Sequence, residues 1–191
     1  MLTQIQRFAT KKHVLIFLGL DLILMFVIMP IMGGKMAEVT EHAKPLDLEI
    51  PTYSVEFAHE KIEAYGEAGR QLYKTIELTA DVIYPLIYGF AYALLIAFFF
   101  QRAFPAQSWT KWLLLVPLAT TVSDLAENLS IVSLLNAFPE QPNHLAQLAA
   151  TFSLMKWSLI LSTFVIILLG LVLFLIKNRK AKQEQREAVR S

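Results

Sequence analysis

Two acids and an amide interrupt a long apolar stretch near the middle of this chain of 191 residues. The stretch covers residues 112–137, and Asp124, Glu127 and Asn128 stand within it at i, i+3 and i+4, so a helix would place them on one face. An apolar run of this length is typical of a transmembrane helix. Ionisable residues inside such a helix indicate a functional site, because a charge is costly to bury in a bilayer.

The free energy of membrane insertion limits how this stretch can be accommodated. On insertion scales one Asp near the centre of a helix costs about 2.5–3.5 kcal/mol, so Asp124 and Glu127 together cost about 5–7 kcal/mol if Glu resembles Asp. The twelve Leu, Val and Ile residues of 112–137 return about 4–7 kcal/mol on the same scale. Because the two amounts nearly cancel, we expect this helix to pack its polar face against neighbouring helices.

The composition indicates a membrane protein. Hydrophobic residues make up 55% of the chain and charged residues only 17%, whereas soluble domains have about 25% charged residues. Four apolar runs, at 14–32, 79–100, 112–137 and 145–176, are long enough to cross a bilayer as helices. A cleaved signal peptide is the alternative for the first run, but no good small-x-small cleavage site follows it. The predicted fold class is an all-α membrane protein, a single integral membrane domain built as a four-helix transmembrane bundle.

Charges that flank the four runs predict the orientation of the chain. Lys and Arg number three before residue 14, two in 101–111 and six in the tail 177–191, against five beside nine acids in the loop 33–78. The positive-inside rule therefore places both termini in the cytoplasm and the loop 33–78 outside. Within this outer loop, Ser54 followed by Glu56 predicts the start of a short amphipathic helix, with an ordinary solvated linker as the alternative.

Helix geometry predicts a partner for Glu127. At a rise of about 1.5 Å per residue, Glu127 lies about 15 Å from the outer end of its span, and Lys156 lies about 15 Å into the next, antiparallel span. The sequence therefore predicts an ion pair of Lys156 with Glu127, or with Asp124 one turn deeper. By the same reasoning Tyr88 and Asp21 reach this level of the membrane.

A polar stripe on the second span faces the same region. Asp81, Tyr84, Tyr88 and Tyr92 follow a helical period. Pro85 lies inside this span, where it should kink the helix or leave a carbonyl without its usual donor. The predicted cavity comprises Asp21, Asp81, Tyr84, Tyr88, Asp124, Glu127, Asn128 and Lys156, and an outer lid for it would consist of Arg70, Tyr73 and Lys74.

The charge of this cavity bears on what it binds. Four carboxylates would face one ammonium, so the excess must be protonated or balanced by bound cations. The chain has no cysteine, and its four histidines are scattered, so a metal site built from His or Cys is not expected. The oxygen atoms of Asp124, Glu127 and Asn128 would instead suit Na⁺, Ca²⁺ or Mg²⁺, and no other cofactor is predicted.

Three functions remain open at this point. The cavity can bind or translocate a small cation, a proton or a lipid-like ligand, and transport by four helices would favour a homo-oligomer. Alternatively, the chain is an intramembrane enzyme acting on a lipid, with Asp124 and Glu127 as general acid and base. In the third, it is a structural or interaction subunit whose polar residues only fix helix packing. Membrane lipids are the expected partners, and a net charge of +1 gives no indication of nucleic-acid binding.

Several motifs resemble an uncharacterised family of small bacterial membrane proteins with four spans. They are residues 66–73, Asp81 with Pro85 and Tyr88, the Asp-x-x-Glu-Asn motif at 124–128, and residues 154–157 around Lys156. The resemblance covers nearly the whole chain. It implies the same four-span layout in a bacterial inner membrane and a shared role for Asp81, Asp124, Glu127, Asn128 and Lys156, and it names no substrate.

Overall fold

The computed structural model describes residues 1–105 and 108–190, and the regular structure in this part of the chain is helical. The first elements are α1 (Leu2–Phe8), α2 (Lys11–Ile23), a π-helical turn (Leu24–Ile28), α3 (Met29–Val39), a 3₁₀ turn (Leu46–Leu48), α4 (Val55–Ala64) and α5 (Gly66–Leu78). They are followed by α6 (Ala80–Ala103), a 3₁₀ segment (Ser108–Leu114), α7 (Leu115–Ala137) and α8 (Asn143–Arg190). The predicted all-α class is confirmed.

Three stretches of helix are long and apolar enough to cross a bilayer, namely Lys11–Val39, Gly66–Ala103 and Asn143–Ala188. They contain the first, second and fourth predicted spans and extend each of them. Their length and composition support the prediction of a membrane protein with transmembrane helices.

The third predicted span forms the 3₁₀ segment and α7, which is not among these three stretches. The polar side chains of Asp124, Glu127 and Asn128 lower the hydropathy of α7, in agreement with the small insertion free energy expected above. Helix α7 packs against both α6 and α8, and these three polar side chains are buried. The polar face of α7 is therefore turned toward other helices, as predicted.

The first long helix continues past the predicted boundary at residue 32 and ends at Val39. Pro30 has no N–H to donate, and in the π-helical turn before it the Met29 N–H bonds to the Leu24 carbonyl. Gly33 and Gly34 lie inside α3. The helix continues beyond the predicted span because glycine lowers helix propensity without removing a backbone hydrogen bond.

Residues 40–78, which we call the cap segment, are folded against α3, α7 and α8. Ser54 caps α4 as predicted, since its Oγ accepts a hydrogen bond from the Phe57 N–H at 3.1 Å. Gly66 separates α4 from α5 at φ +64°, which glycine adopts without strain. Burial raises the pKa of the Tyr65 phenol above its ordinary value, so this phenol stays protonated and donates to the Lys44 carbonyl at 2.8 Å. The alternative of a solvated linker is therefore wrong.

Helices α6 and α7 approach each other closely at Gly89. A Cβ atom added at Gly89 would overlap Thr121 Oγ1 and would lie 3.2 Å from the Pro117 carbonyl oxygen. The Thr121 hydroxyl also donates to the Pro85 carbonyl at 2.9 Å. This contact holds the two helices at a short separation, and it brings the polar stripe of α6 within reach of the acids of α7.

Candidate functional site

Lys156 is the centre of a buried ion-pair network. Its Nζ lies 2.6 Å from Glu127 Oε2 and 3.5 Å from Asp124 Oδ1. The pair predicted from the depths of the two helices is therefore present, and Asp124 shares the same ammonium. Lys156 is only 4% exposed and Glu127 is fully buried. We call these three residues the lysine network.

The tyrosines of α6 extend this network. The Tyr88 hydroxyl donates to Asp124 Oδ2 at 2.7 Å, so the two oxygens of Asp124 face different partners. Tyr84 and Tyr92 flank Tyr88, with ring centroids 5.2 Å and 5.7 Å from it. The predicted stripe thus reaches the site through Tyr88, while its neighbours form an aromatic wall.

Asn128 satisfies a carbonyl that Pro85 leaves free. In a regular helix the N–H of residue 85 would bond to the carbonyl of Asp81, but proline has no N–H. The Asn128 side-chain amide donates to that Asp81 carbonyl at 2.6 Å. The carbonyl that the sequence predicted to be free is therefore identified, and the Asn128 amide serves helix packing at this point.

Replacing Asn128 by Ala should lower the free energy of unfolding by about 0.6–2 kcal/mol, the range for a hydrogen bond between membrane helices. Pro85→Ala restores an N–H that can bond to the Asp81 carbonyl, so Asn128→Ala should cost less in that background. SDS titration in mixed micelles measures both costs. Equal costs in the two backgrounds would contradict the role of Asn128 described here.

Asp47 belongs to the site although the sequence did not indicate it. It lies in the 3₁₀ turn of the cap segment, where its backbone carbonyl accepts from Lys156 Nζ at 3.2 Å. The Tyr73 hydroxyl donates to Asp47 Oδ1 at 2.6 Å and accepts from the backbone N–H of Leu46 at 3.0 Å. Only the tertiary fold brings this turn to Lys156.

Glu77 is the second residue that the sequence analysis missed. It lies four residues before Asp81, and extending the stripe of Asp81 and Tyr88 backward by one turn would have found it. Ligand atoms of Asp47, Glu77 and Asp81 lie within 4.8 Å of one another, and all three residues are buried. We call these three residues the acidic triad.

Asp21 is buried on α2, and it does not join the lysine network. Helix α2 packs against α6, the helix that carries the tyrosine stripe. That Asp21 lies at the level of these tyrosines stays a prediction.

The predicted lid of Arg70, Tyr73 and Lys74 needs correction. Arg70 stacks on the Phe138 ring at 3.7 Å and donates to the Ile62 carbonyl. Lys74 donates to Asn136 Oδ1 at 2.6 Å. Arg70 and Lys74 are four residues apart and share the face of α5 that meets the end of α7. Of the three predicted lid residues, Tyr73 alone lies on the face that reaches the site.

The side chains of the predicted oxygen-ligand set, Asp124, Glu127 and Asn128, interact with other groups of the protein. The ammonium of Lys156 stands beside the two carboxylates, where it would repel a metal ion, and the Asn128 amide is directed to a backbone carbonyl. Within the described residues, the group that brings three or more potential metal ligands together is the acidic triad. It contains neither histidine nor cysteine.

Two adjoining cavities, of about 180 Å³ and 280 Å³, border these groups. Both are lined by Asp47 and Asp81, and the larger one also by Glu77. The smaller one runs from the carboxylates to an apolar end at Trp157, Ile160 and Phe164. Phe164 is 50% exposed on the outside of the helices, so the smaller cavity opens sideways at the apolar surface.

The arrangement provides negative charge at one end of a cavity and an apolar wall at the other. Such a site can hold a cation or the cationic end of an amphipathic molecule. Comparison of the chain with protein families, with curated proteins and with solved structures finds no match.

Proposed function

We propose that the chain is a four-helix bundle in the inner membrane of a bacterium, with both termini in the cytoplasm. Helices α7 and α8 pack against each other and are joined by residues 138–142, which supports α7 as a fourth span beside the three long apolar stretches. The Lys and Arg residues of 1–13, 101–111 and 177–191 support this orientation. The resemblance to small bacterial four-span proteins agrees with it.

The bundle binds a cation in the cavity beside the acidic triad and the lysine network. The main support for this function is the excess of buried negative charge. Among the described residues, five buried carboxylates meet here with the single ammonium of Lys156. Buried charges without partners are strongly unfavourable, and a cation taken up from solution supplies the missing positive charge.

Helix packing alone accounts for only part of this arrangement. The lysine network and Asn128 have partners on neighbouring helices, as structural groups would. Glu77 has none, since neither of its carboxylate oxygens accepts a hydrogen bond from any described residue. Because Lys156 holds both Asp124 and Glu127, these acids are also poorly placed to act as a free general acid and base.

The sideways opening of the smaller cavity favours a second candidate, an amphipathic ligand with a cationic head. Its head would lie at Asp81 and Asp124, and its apolar part would lie along Trp157 and Phe164 toward the surface. A long-chain amine has this chemistry. The two candidates share the requirement for positive charge and differ in the need for an apolar chain.

Thermal unfolding of the purified protein in nanodiscs of zwitterionic lipid tests the proposal. At equal ionic strength, Na⁺, Ca²⁺ and octylammonium are each added, and we expect at least one of them to raise Tm in a saturable way. A ligand at 100 times its Kd stabilises by about 2.7 kcal/mol. Asp81 lines both cavities, so Asp81→Asn should abolish the effect.

Glu67→Gln is the matched control, because Glu67 is an exposed acid on α5 outside both cavities. It should leave the rise in Tm unchanged. Stabilisation by octylammonium alone would identify the amphipathic candidate. If none of the three cations changes Tm, the cavity does not bind cations and the polar groups serve packing.

A further inference from the structure

The acidic triad draws its three carboxylates from three separate elements of the fold. Asp47 comes from the 3₁₀ turn of the cap segment, Glu77 from α5 and Asp81 from α6. One ligand atom of each lies within 4.8 Å of the others. Three like charges at such distances repel one another strongly in a buried site, so the fold must compensate them.

Glu77 supplies an independent indication of a ligand. It is only 1% exposed, and neither of its carboxylate oxygens accepts a hydrogen bond from any residue that the structure describes. The side chain lines the cavity of about 280 Å³ together with Asp47 and Asp81. A buried carboxylate normally has hydrogen-bond donors or a positive charge beside it. The cavity that Glu77 lines has room for such a partner.

The distances within the triad suit a hard divalent cation. Ca²⁺ binds oxygen ligands at about 2.3–2.6 Å, so two oxygens on opposite sides of one ion are about 4.6–5.2 Å apart. For Mg²⁺ the corresponding separation is only about 4.0–4.2 Å, and Mg²⁺ tolerates little departure from octahedral geometry. The upper limit of 4.8 Å in the triad is compatible with oxygen ligands of one such ion, and the tolerance of Ca²⁺ for irregular geometry favours it over Mg²⁺. Zinc is a poorer fit because it prefers nitrogen and sulfur ligands.

Neighbouring groups hold two of the ligands in place. Tyr73 donates to Asp47 Oδ1 and leaves the second oxygen of that carboxylate available, while Lys156 fixes the Asp47 carbonyl. Asn128 fixes the Asp81 carbonyl in the same way. Supporting hydrogen bonds of this kind orient metal ligands in proteins.

We infer that the acidic triad of Asp47, Glu77 and Asp81 is a binding site for a hard divalent cation, Ca²⁺ in preference to Mg²⁺. The inference rests on the proposed cation-binding function and assigns it to particular ligands. The ion joins the cap segment to α6, because its ligands come from both. After its release the 3₁₀ turn would keep the hydrogen bonds to Tyr73 and Lys156 and the packing of Leu46, so the ion adds to how firmly the cap segment is docked.

Calorimetric titration of the protein in zwitterionic nanodiscs with CaCl₂, and separately with MgCl₂, tests this site. We expect one Ca²⁺ per chain and weaker binding of Mg²⁺. Glu77→Gln removes a ligand charge at constant size and should weaken Ca²⁺ binding by at least about 10–100-fold, the range produced by loss of an outer-shell partner alone. Glu67→Gln, the same exchange at an exposed position of α5, should leave the affinity unchanged.

A third variant separates this inference from the broader proposal. Asp124→Asn lies in the lysine network and should change Ca²⁺ affinity far less than Glu77→Gln. If Ca²⁺ binds and only Asp124→Asn abolishes the binding, the cation function stands and the triad is not its site. If a monovalent or amphipathic cation binds and Ca²⁺ does not, the cation-binding function likewise stands and the triad is not a Ca²⁺ site. If no cation binds at all, both ideas fail.

Hydrogen–deuterium exchange of the wild-type protein gives a result that does not depend on variants. Ca²⁺ should slow amide exchange in residues 46–53, which include the Asp47 ligand, and should leave the C-terminal part of α8 unchanged. Equal exchange of residues 46–53 with and without saturating Ca²⁺ would overturn the site. Should Glu77→Gln fail to fold, Glu77→Asp keeps the charge, shortens the reach of the carboxylate and should still weaken Ca²⁺ binding.

Discussion

Replacing Lys156 by Met is expected to lower the free energy of unfolding by about 3–5 kcal/mol, the cost of removing one partner from a buried ion pair. The substitution leaves Asp124 and Glu127 buried without their ammonium, and it also removes the donor to the Asp47 carbonyl. Methionine has nearly the volume of the lysine stem, so packing changes little. SDS titration in mixed micelles measures the loss.

The loss of unfolding free energy should be smaller when one of the unpaired carboxylates is also removed. Glu127→Gln in the Lys156→Met background eliminates one unpaired carboxylate, so the double variant should be more stable than the sum of the single costs implies. Lys61→Met is the matched control, because the Lys61–Glu49 pair at 2.8 Å is partly exposed and should be worth less than about 1 kcal/mol. Simple additivity of the two single costs would show that Glu127 and Lys156 are not energetically coupled.

Replacing Gly89 by Ala should destabilise the protein by about 1–3 kcal/mol, the usual cost of an extra methyl group in a packed interior. The added Cβ overlaps the Thr121 hydroxyl and meets the Pro117 carbonyl oxygen at 3.2 Å, which is backbone and cannot turn away. Helices α6 and α7 must therefore separate, or Thr121 must give up its hydrogen bond to Pro85. The same titration measures the change.

Gly19→Ala is the control for this substitution. Gly19 lies within α2, and a Cβ atom there meets no atom within 4 Å, so the change should be neutral or slightly stabilising through helix propensity. The separation of α6 and α7 should also weaken the hydrogen bond between Tyr88 and Asp124. If Gly89→Ala is as stable as Gly19→Ala, the close contact of the two helices does not constrain the bundle.

Residues on continuous helices could be predicted from the sequence. Period and rise were enough to match Glu127 with Lys156, to place Tyr88 at the same level and to recognise that Pro85 frees a carbonyl. Ser54 was recognised as a cap because the capping interaction is local. These features depend on residues a few positions apart, or on two helices joined by a short loop.

Features that depend on the docking of the cap segment could not be predicted. Asp47 reaches Lys156 only because a turn far away in the sequence folds onto α6 and α8, and no period indicates that contact. Arg70 was expected over the cavity because of its charge, but the Phe138 ring offers it a partner on the other face of α5. The acidic triad was not recognised for the same reason, since Asp47 joins it only through the docked turn.

The bond between Lys156 and Asp47 spans 109 residues of sequence, and this separation has a consequence for biosynthesis. A ribosome adds about 5–20 residues per second, so Lys156 is made about 5–20 s after Asp47. Glu127 precedes Lys156 by only 29 residues, so the acids of α7 have no ammonium for roughly 1.5–6 s of that interval. In the proposed four-span arrangement α7 alone would gain almost nothing by entering the bilayer. We therefore expect α7 and α8 to enter together as a hairpin, with the late lysine setting the order of assembly.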